Sequence, residues 1–123
     1  MLEKFDAFQM AKEYYWRCKE LKIQRILQDQ LIRASSSIAL NLAEGSGKRT
    51  IDDQKRFYSI SLGSLRECDA ILQLEKINDP VLASLGDQLG AILFTLSQKD
   101  RIRKNSNWTE SETVPVTPTV SET

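Results

Sequence analysis

Residues 33–47, RASSSIALNLAEGSG, decide the fold. Their apolar members continue a line that begins shortly before them, at the spacings of four and three residues that mark one face of a helix. The members of that line are Leu27, Leu31, Ala34, Ile38 and Leu42. Gly45-Ser46-Gly47 follows, and glycine readily takes the left-handed conformation that ends helices. The stretch predicts a helix from about Ile26 to Glu44.

Three other segments show helical periodicity. One runs from about Phe5 to Leu21, one starts after Thr50 and runs to about Leu74, and one starts at Pro80. The last repeats apolar residues at alternating spacings of three and four, the pattern of bundled helices, and is expected to end within 99–104. The segment after Thr50 carries two apolar lines, which predicts contacts on two sides. These lines are Phe57, Ile60, Ser64, Cys68 and Ile71, and Tyr58, Leu62, Leu65 and Leu72.

Polar residues mark the starts of two of these helices. Thr50 is a good N-cap, and Asp53 lies three residues later, as in a capping box. Asn78-Asp79-Pro80 is expected to break the chain and start the last helix. Four helices with short connections predict an all-α fold, an antiparallel up-down-up-down four-helix bundle over residues 1–104.

Residues 105–123 differ from the rest in composition. They are rich in Ser, Thr, Val and Pro, with three acids and no base. We expect a disordered, polar C-terminal tail. The alternative is a short recognition segment around Trp108 or Val114-Pro115-Val116.

Composition excludes several functions. The chain of 123 residues has no histidine, which argues against Ser-His-Asp or Cys-His catalysis and against histidine-ligated metals. Its two cysteines make neither a disulfide framework nor a zinc motif, and both fall on apolar lines, so buried thiols are expected. No apolar run approaches the roughly 20 residues of a membrane helix, and charges at the start leave no signal-peptide core. We expect a cytoplasmic protein without cofactor or metal.

Small residues are frequent in residues 33–45 and in residues 56–67, RFYSISLGSLRE. Gly63 inside a helix costs about 1 kcal/mol relative to alanine. Such residues usually let another backbone approach closely, so we expect a tight seam between helices. A ligand crevice is the alternative.

These two stretches resemble a four-helix-bundle family encoded in intervening sequences of bacterial 23S ribosomal RNA genes. The family pattern is Arg-Ala-x-x-Ser-Ile-x-x-Asn-Ile-Ala-Glu-Gly, followed by Arg-Phe-x-x-Ile-Ala-x-Gly-Ser-x-x-Glu. Leu42 replaces the usual Ile and Ser61 the usual Ala. The matching residues are Arg33, Ala34, Ser37, Ile38, Asn41, Ala43, Glu44, Gly45, Arg56, Phe57, Ile60, Gly63, Ser64 and Glu67.

The resemblance covers roughly residues 4 to 100 and implies a homopentamer of antiparallel bundles. A relative of that family is the accessory variability determinant of diversity-generating retroelements, a basic pentameric barrel that partners a reverse transcriptase and binds nucleic acid. RNA binding is also suspected for the intervening-sequence proteins. This chain departs from the basic relative, because its 17 bases balance its 17 acids.

Basic residues nevertheless gather at one predicted end of the bundle. Residues 1–104 hold all 17 bases and 14 acids. In an up-down bundle, the second loop and the end of the fourth helix lie together, partly balanced there by Asp52, Asp53 and Asp100. Solvated surface charge is one interpretation, and phosphate binding is the other. The candidate nucleic-acid-binding residues are Lys48, Arg49, Lys55, Arg101, Arg103 and Lys104.

Composition, charge and the family resemblance bear on three functions. The first is a non-enzymatic oligomer that binds nucleic acid, RNA above all, through the basic face. The second is a protein-binding scaffold that recruits a partner such as a reverse transcriptase. An enzyme is disfavoured, because no activated nucleophile or metal motif is evident. Gly45-Ser46-Gly47-Lys48-Arg49 lacks the spacing of a phosphate-binding loop.

A second group of polar residues carries the family motif: Arg33, Asn41, Glu44, Arg56, Gly63 and Glu67. Glu44 and Arg56 are expected to lie close together where the second and third helices meet. A structural ion pair, a cap on the glycine turn and a functional site remain open as their role.

Overall fold

The computed structural model describes residues 2–98, with the side chains of 6–98. Four helices fill this range: α1 (Leu2–Lys19), α2 (Arg25–Ser46), α3 (Ile51–Leu74) and α4 (Pro80–Ser97). No strand occurs between residues 2 and 98. The all-α class is confirmed, and the helix boundaries agree with expectation to within a few residues. One boundary is wrong, because α4 ends at Ser97 with Gln98 as its C-cap, before the predicted end within 99–104. The predicted tail at 105–123 lies outside the described residues.

The helix starts follow from local side chains. Thr50 Oγ1 accepts a hydrogen bond from Asp53 N at 3.1 Å, as predicted. Asp79 Oδ1 accepts from Val81 N and Leu82 N, both at 3.1 Å, and Pro80 occupies the first turn of α4. The cap of α2 comes from Gln24, whose Oε1 accepts from Leu27 N at 3.2 Å. These bonds satisfy amide groups that a helix start leaves free.

The end of α2 differs from the prediction. Gly47 caps the helix with φ of −93°, and no glycine among the described residues has a positive φ. Gly45 lies inside the helix and is buried. A Cβ at Gly45 would lie 2.9 Å from Tyr58 Cε1 and 3.0 Å from Phe57 Cβ. The glycine is therefore required by the close approach of α3 and not by a left-handed turn.

The core lies between all four helices. Each helix packs against the next along the chain, and α1 packs against α4. This packing is compatible with an up-down-up-down bundle. The buried apolar residues include Ala11, Tyr14, Cys18, Leu31, Ile38, Leu42, Tyr58, Leu65, Cys68, Leu82, Leu89 and Leu96. The predicted burial of both cysteines is confirmed.

Contacts between α2 and α3 follow one register from end to end. Gln24 N lies 3.5 Å from Glu75 Oε1 at one end, and Gly45 meets Tyr58 at the other. Midway, Ser61 Oγ donates to Ile38 O at 2.6 Å. Partners move down one helix as they move up the other, as expected for antiparallel helices.

Two residues of α3 differ from their predicted roles. Ile60 was placed on an apolar line, but 43% of its surface is exposed. Gly63 was expected at a close approach, yet a Cβ there would meet nothing within 4 Å. Both lie on the outer side of α3, because burial follows the face of Tyr58, Ser61 and Leu65.

Helix α4 has an apolar composition. Among the described residues it is the one helix long and apolar enough, by length and composition, to cross a membrane. A mostly buried core helix passes the same test, but only 28% of α4 is buried, with Leu82, Leu89, Leu93 and Leu96 in this core.

Candidate nucleic-acid interface

A cluster of bases lies around the turn between α2 and α3. We call it the basic turn: Lys48, Arg49, Lys55 and Arg56. The turn is short because Gly47 ends α2 and Thr50 caps α3. Gln54 Nε2 donates to Lys48 O at 2.9 Å, which holds the turn against the first turn of α3. The backbone from which these four basic side chains extend is therefore held in one conformation.

Phe57 organises two of these cations. Lys48 Nζ lies 5.1 Å from the centre of the Phe57 ring, and Arg56 Cζ lies 4.7 Å from it. A ring face attracts a cation within about 6 Å, by about 0.5–1 kcal/mol at an exposed site. Spacing alone placed Phe57 on an apolar line and did not predict this role, although a phenylalanine next to Arg56 was a visible signal.

Each of these two cations also has an acidic neighbour. Lys48 Nζ lies 3.1 Å from Glu44 Oε2, and Arg56 Nη2 lies 3.6 Å from Asp53 Oδ1. The expected pair between Glu44 and Arg56 is therefore wrong. Each acid pairs with a base three or four residues away in sequence, on its own helix or just beyond its end. Neither pair therefore joins α2 to α3.

The other predicted residues fall into two groups. Arg49 is exposed, Lys55 is half-buried, and neither forms an ion pair with another residue of the described range. Arg101, Arg103 and Lys104 lie outside the described residues. Lys48 and Arg49 therefore lie in the turn and Lys55 lies near the start of α3, and their role in binding stays a prediction.

Charge is unevenly divided along the chain. Residues 2–98 contain thirteen bases and thirteen acids. Residues 99–104 contain four bases and one acid. The positive surplus of residues 1–104 therefore belongs to the segment that follows α4.

The motif residues of α2 and α3 form an outer surface. Asn41 Nδ2 donates to Ser37 O and Ser37 Oγ, each at 2.9 Å, and the hydroxyls of Ser37 and Ser64 lie 2.8 Å apart. Leu40 and Ile60 are exposed on this side, by 67% and 43%. We call this surface the α2–α3 outer face: Arg33, Ser37, Leu40, Asn41, Glu44, Arg56, Ile60, Gly63, Ser64 and Glu67.

The buried thiols offer no nucleophile at neutral pH. Burial raises the pKa of Cys18 to about 12, although a hydrogen bond with Ser35 opposes the shift. Burial also raises the pKa of Cys68 well above its usual range. No group of three His, Cys, Asp or Glu side chains within the described residues is placed to hold a metal ion.

Comparison with known proteins adds the family. No curated protein and no solved structure matches the chain. The family model described as 23S rRNA-intervening sequence protein matches residues 4–92. That range includes α2, the basic turn, α3 and most of α4. The chain therefore belongs to the family of 23S rRNA-intervening sequence proteins.

Proposed function

We propose that this protein is a non-enzymatic, cytoplasmic homopentamer of antiparallel up-down-up-down bundles that binds nucleic acid, RNA above all. Its binding surface is Lys48, Arg49 and Lys55 of the basic turn together with Arg101, Arg103 and Lys104. The observation that carries the proposal is the basic turn, where Arg49 and Lys55 have no ion-pair partner within the described residues. Such cations are available to phosphates, and binding them releases counterions.

In the proposed up-down arrangement, the C-terminal end of α4 would lie at the end of the bundle that carries the basic turn. Residues 99–104 follow α4 in sequence and contain four bases, and the proposal assigns them to the same binding surface. One chain has a surplus of only three bases over residues 1–104, which is weak for a nucleic-acid-binding protein. Five copies in a ring would present a surplus of about fifteen toward one polyanion.

The α2–α3 outer face supports assembly. Leu40 and Ile60 are exposed there, and Gly63 leaves open space beside them. Exposed apolar side chains next to small residues let a second surface approach closely and remove apolar area from water. A neighbouring copy is the occupant that this proposal assigns to the face.

Charge reversal tests the binding surface. Replacing Lys48, Arg49 and Lys55 with glutamate should abolish a salt-sensitive gel shift with RNA. In a matched variant, glutamate replaces three exposed bases outside the basic turn, Lys22, Arg25 and Lys76. This variant should retain the shift. Circular dichroism and light scattering should show unchanged helicity and a fivefold mass for both variants. Equal RNA binding by the two variants would contradict the proposal.

A protein-binding scaffold is the second candidate function. The neutral charge of residues 2–98 favours it, because a polyanion gains little from a neutral bundle. In this case the assembled ring would bind another protein, such as a reverse transcriptase. A fivefold mass with no RNA shift at low salt, together with capture of that enzyme by the parent protein, would replace the first proposal with this one.

A further inference from the structure

Helix α1 carries aromatic rings and lysines along one outer side. Lys12 Nζ lies 5.2 Å from the centre of the Phe8 ring and 5.8 Å from that of the Trp16 ring. Lys19 Nζ lies 5.2 Å from the centre of the Tyr15 ring. We call these five residues the aromatic–lysine stripe. Each ammonium group lies over the face of at least one ring.

The stripe follows from helical spacing. Phe8, Lys12, Trp16 and Lys19 are separated by four, four and three residues, which places them on one side of α1. At 1.5 Å per residue the stripe is roughly 16 Å long. The neighbouring side of α1, with Ala7, Ala11, Tyr14 and Cys18, is buried in the core. Phe8 is partly buried against that core, whereas Trp16 lies on the side farthest from it.

Neither lysine of the stripe forms an ion pair within the described residues. The nearby Glu13 binds Arg17 Nε at 2.9 Å, and the exposed Glu20 follows Lys19 directly. Trp16 is 54% exposed, and Lys19 is exposed as well. The surface therefore combines an accessible indole ring with two lysines that no ion pair occupies.

This combination fits a single-stranded nucleic acid better than a protein. Bases stack on aromatic rings, and each stack contributes about 1–3 kcal/mol whatever the base. The lysines beside the rings match the phosphates that follow the stacked bases. The centre of a protein–protein interface is instead depleted of lysine.

We propose that the aromatic–lysine stripe binds unpaired bases of single-stranded nucleic acid. The inference shares its class of ligand with the proposed function, but it names a separate surface and a separate preference. The basic turn contacts phosphates of any strand, whereas stacking on Trp16 requires bases that are not paired. The stripe therefore gives the protein a preference for single strands over duplexes.

Tryptophan fluorescence tests this directly. Trp108→Phe leaves Trp16 as the single tryptophan of the full chain. Titration with a 12-residue oligouridylate should quench its emission in a saturable way, and added salt should weaken the binding. A duplex of the same length should bind without quenching.

Variants separate stacking from charge. Trp16→Ala should weaken oligouridylate binding about 5- to 150-fold, the equivalent of one lost stack, and leave duplex binding unchanged. Trp16→Phe should restore most of the loss. Leu74→Ala is the matched control, because Leu74 is an apolar residue on α3 with 70% exposure, and it should change nothing.

Three results would overturn the inference, and they are distinguishable. If Trp16→Ala binds single strands as tightly as the parent protein, the stripe is not a binding surface. The proposed function still stands in that case, provided that the basic-turn variant no longer binds RNA. A smaller solution mass for Trp16→Ala shows that the stripe contacts another copy of the chain. Absence of any nucleic-acid binding by the parent protein removes the stripe and the proposed function together.

Discussion

The α2–α3 pair and the α1–α4 pair differ in what lies between their helices. Between α2 and α3, Ser61 Oγ reaches Ile38 O at 2.6 Å, and Gly45 lets the ring of Tyr58 approach. Within the described residues no hydrogen bond joins α1 to α4, and a Cβ at Gly86 would lie an ordinary 3.4 Å from Tyr14 Cε2. The first pair is aligned by specific small and polar contacts. The second is held by apolar burial, which is larger in energy but less directional.

The largest loss of stability is expected for a substitution in the apolar core of the α1–α4 pair. Leu89 of α4 is completely buried. Leu89→Ala should lower the free energy of unfolding by about 2–5 kcal/mol, because it removes buried methyl groups and leaves a cavity. Urea denaturation at fixed protein concentration measures it, with the exposed Val81→Ala as control. A loss below about 1 kcal/mol would show that α4 contributes little to the core.

The next effect distinguishes two glycines of the α2–α3 pair. Gly45→Ala should destabilise the protein by about 1–3 kcal/mol, because the new Cβ would lie 2.9 Å from Tyr58 Cε1. Gly63→Ala should stabilise it by up to about 1 kcal/mol, since a Cβ there meets nothing and alanine favours the helix. Thermal unfolding of both variants checks the signs. Equal signs would mean that the seam adjusts to the added methyl group.

Alkaline pH should weaken the core around its two buried thiols, Cys18 and Cys68. Burial raises the pKa of Cys18 to about 12 and raises that of Cys68 further. In the unfolded chain both thiols ionise near pH 9, so above that pH the unfolded state binds fewer protons than the folded state. The free energy of unfolding should be constant below about pH 8. Above about pH 9 it should fall by up to about 1.4 kcal/mol per pH unit for each thiol.

The thiol contribution can be isolated by substitution. In Cys18→Ala/Cys68→Ala the decline between pH 9 and pH 10 should be shallower than in the parent, while Tyr14 remains in both proteins. Parallel curves for the two proteins would show that the thiols are not responsible.

The smallest effect concerns the polar seam. Ser61→Ala removes the hydroxyl that donates to Ile38 O and should cost about 0.5–1.5 kcal/mol. Ser59→Ala is the control, because Ser59 is exposed on the same helix. If both variants have the parent's midpoint in urea, the hydroxyl does not contribute to the alignment of α2 and α3.

Periodicity and capping residues predicted most of the fold. The four helices, the caps at Thr50 and Asp79 and the buried cysteines follow from residues close together in sequence. The two glycines were assigned wrongly because helix propensity does not reveal which neighbour approaches. Gly45 was interpreted as a terminator and is a contact, whereas Gly63 was interpreted as a contact and is open.

The candidate site was predictable in part for the same reason. Lys48, Arg49 and Lys55 are close in sequence, so their clustering required no knowledge of the tertiary structure. The placement of Lys48 and Arg56 over Phe57 depends on side-chain directions that spacing alone does not determine. Trp16 was missed because helical spacing marks the buried side of α1 and does not reveal which exposed side chains of the helix lie next to one another.

The short turn between α2 and α3 has a consequence for how the chain folds. It joins the two helices that share the polar seam, so the contacts nearest the turn, such as Gly45 with Tyr58, close short loops and lose little chain entropy. The α1–α4 contact instead brings distant parts of the chain together and closes the longest loop of the described residues. We therefore expect the hairpin of α2 and α3 to form early in folding and α1 to dock onto α4 late.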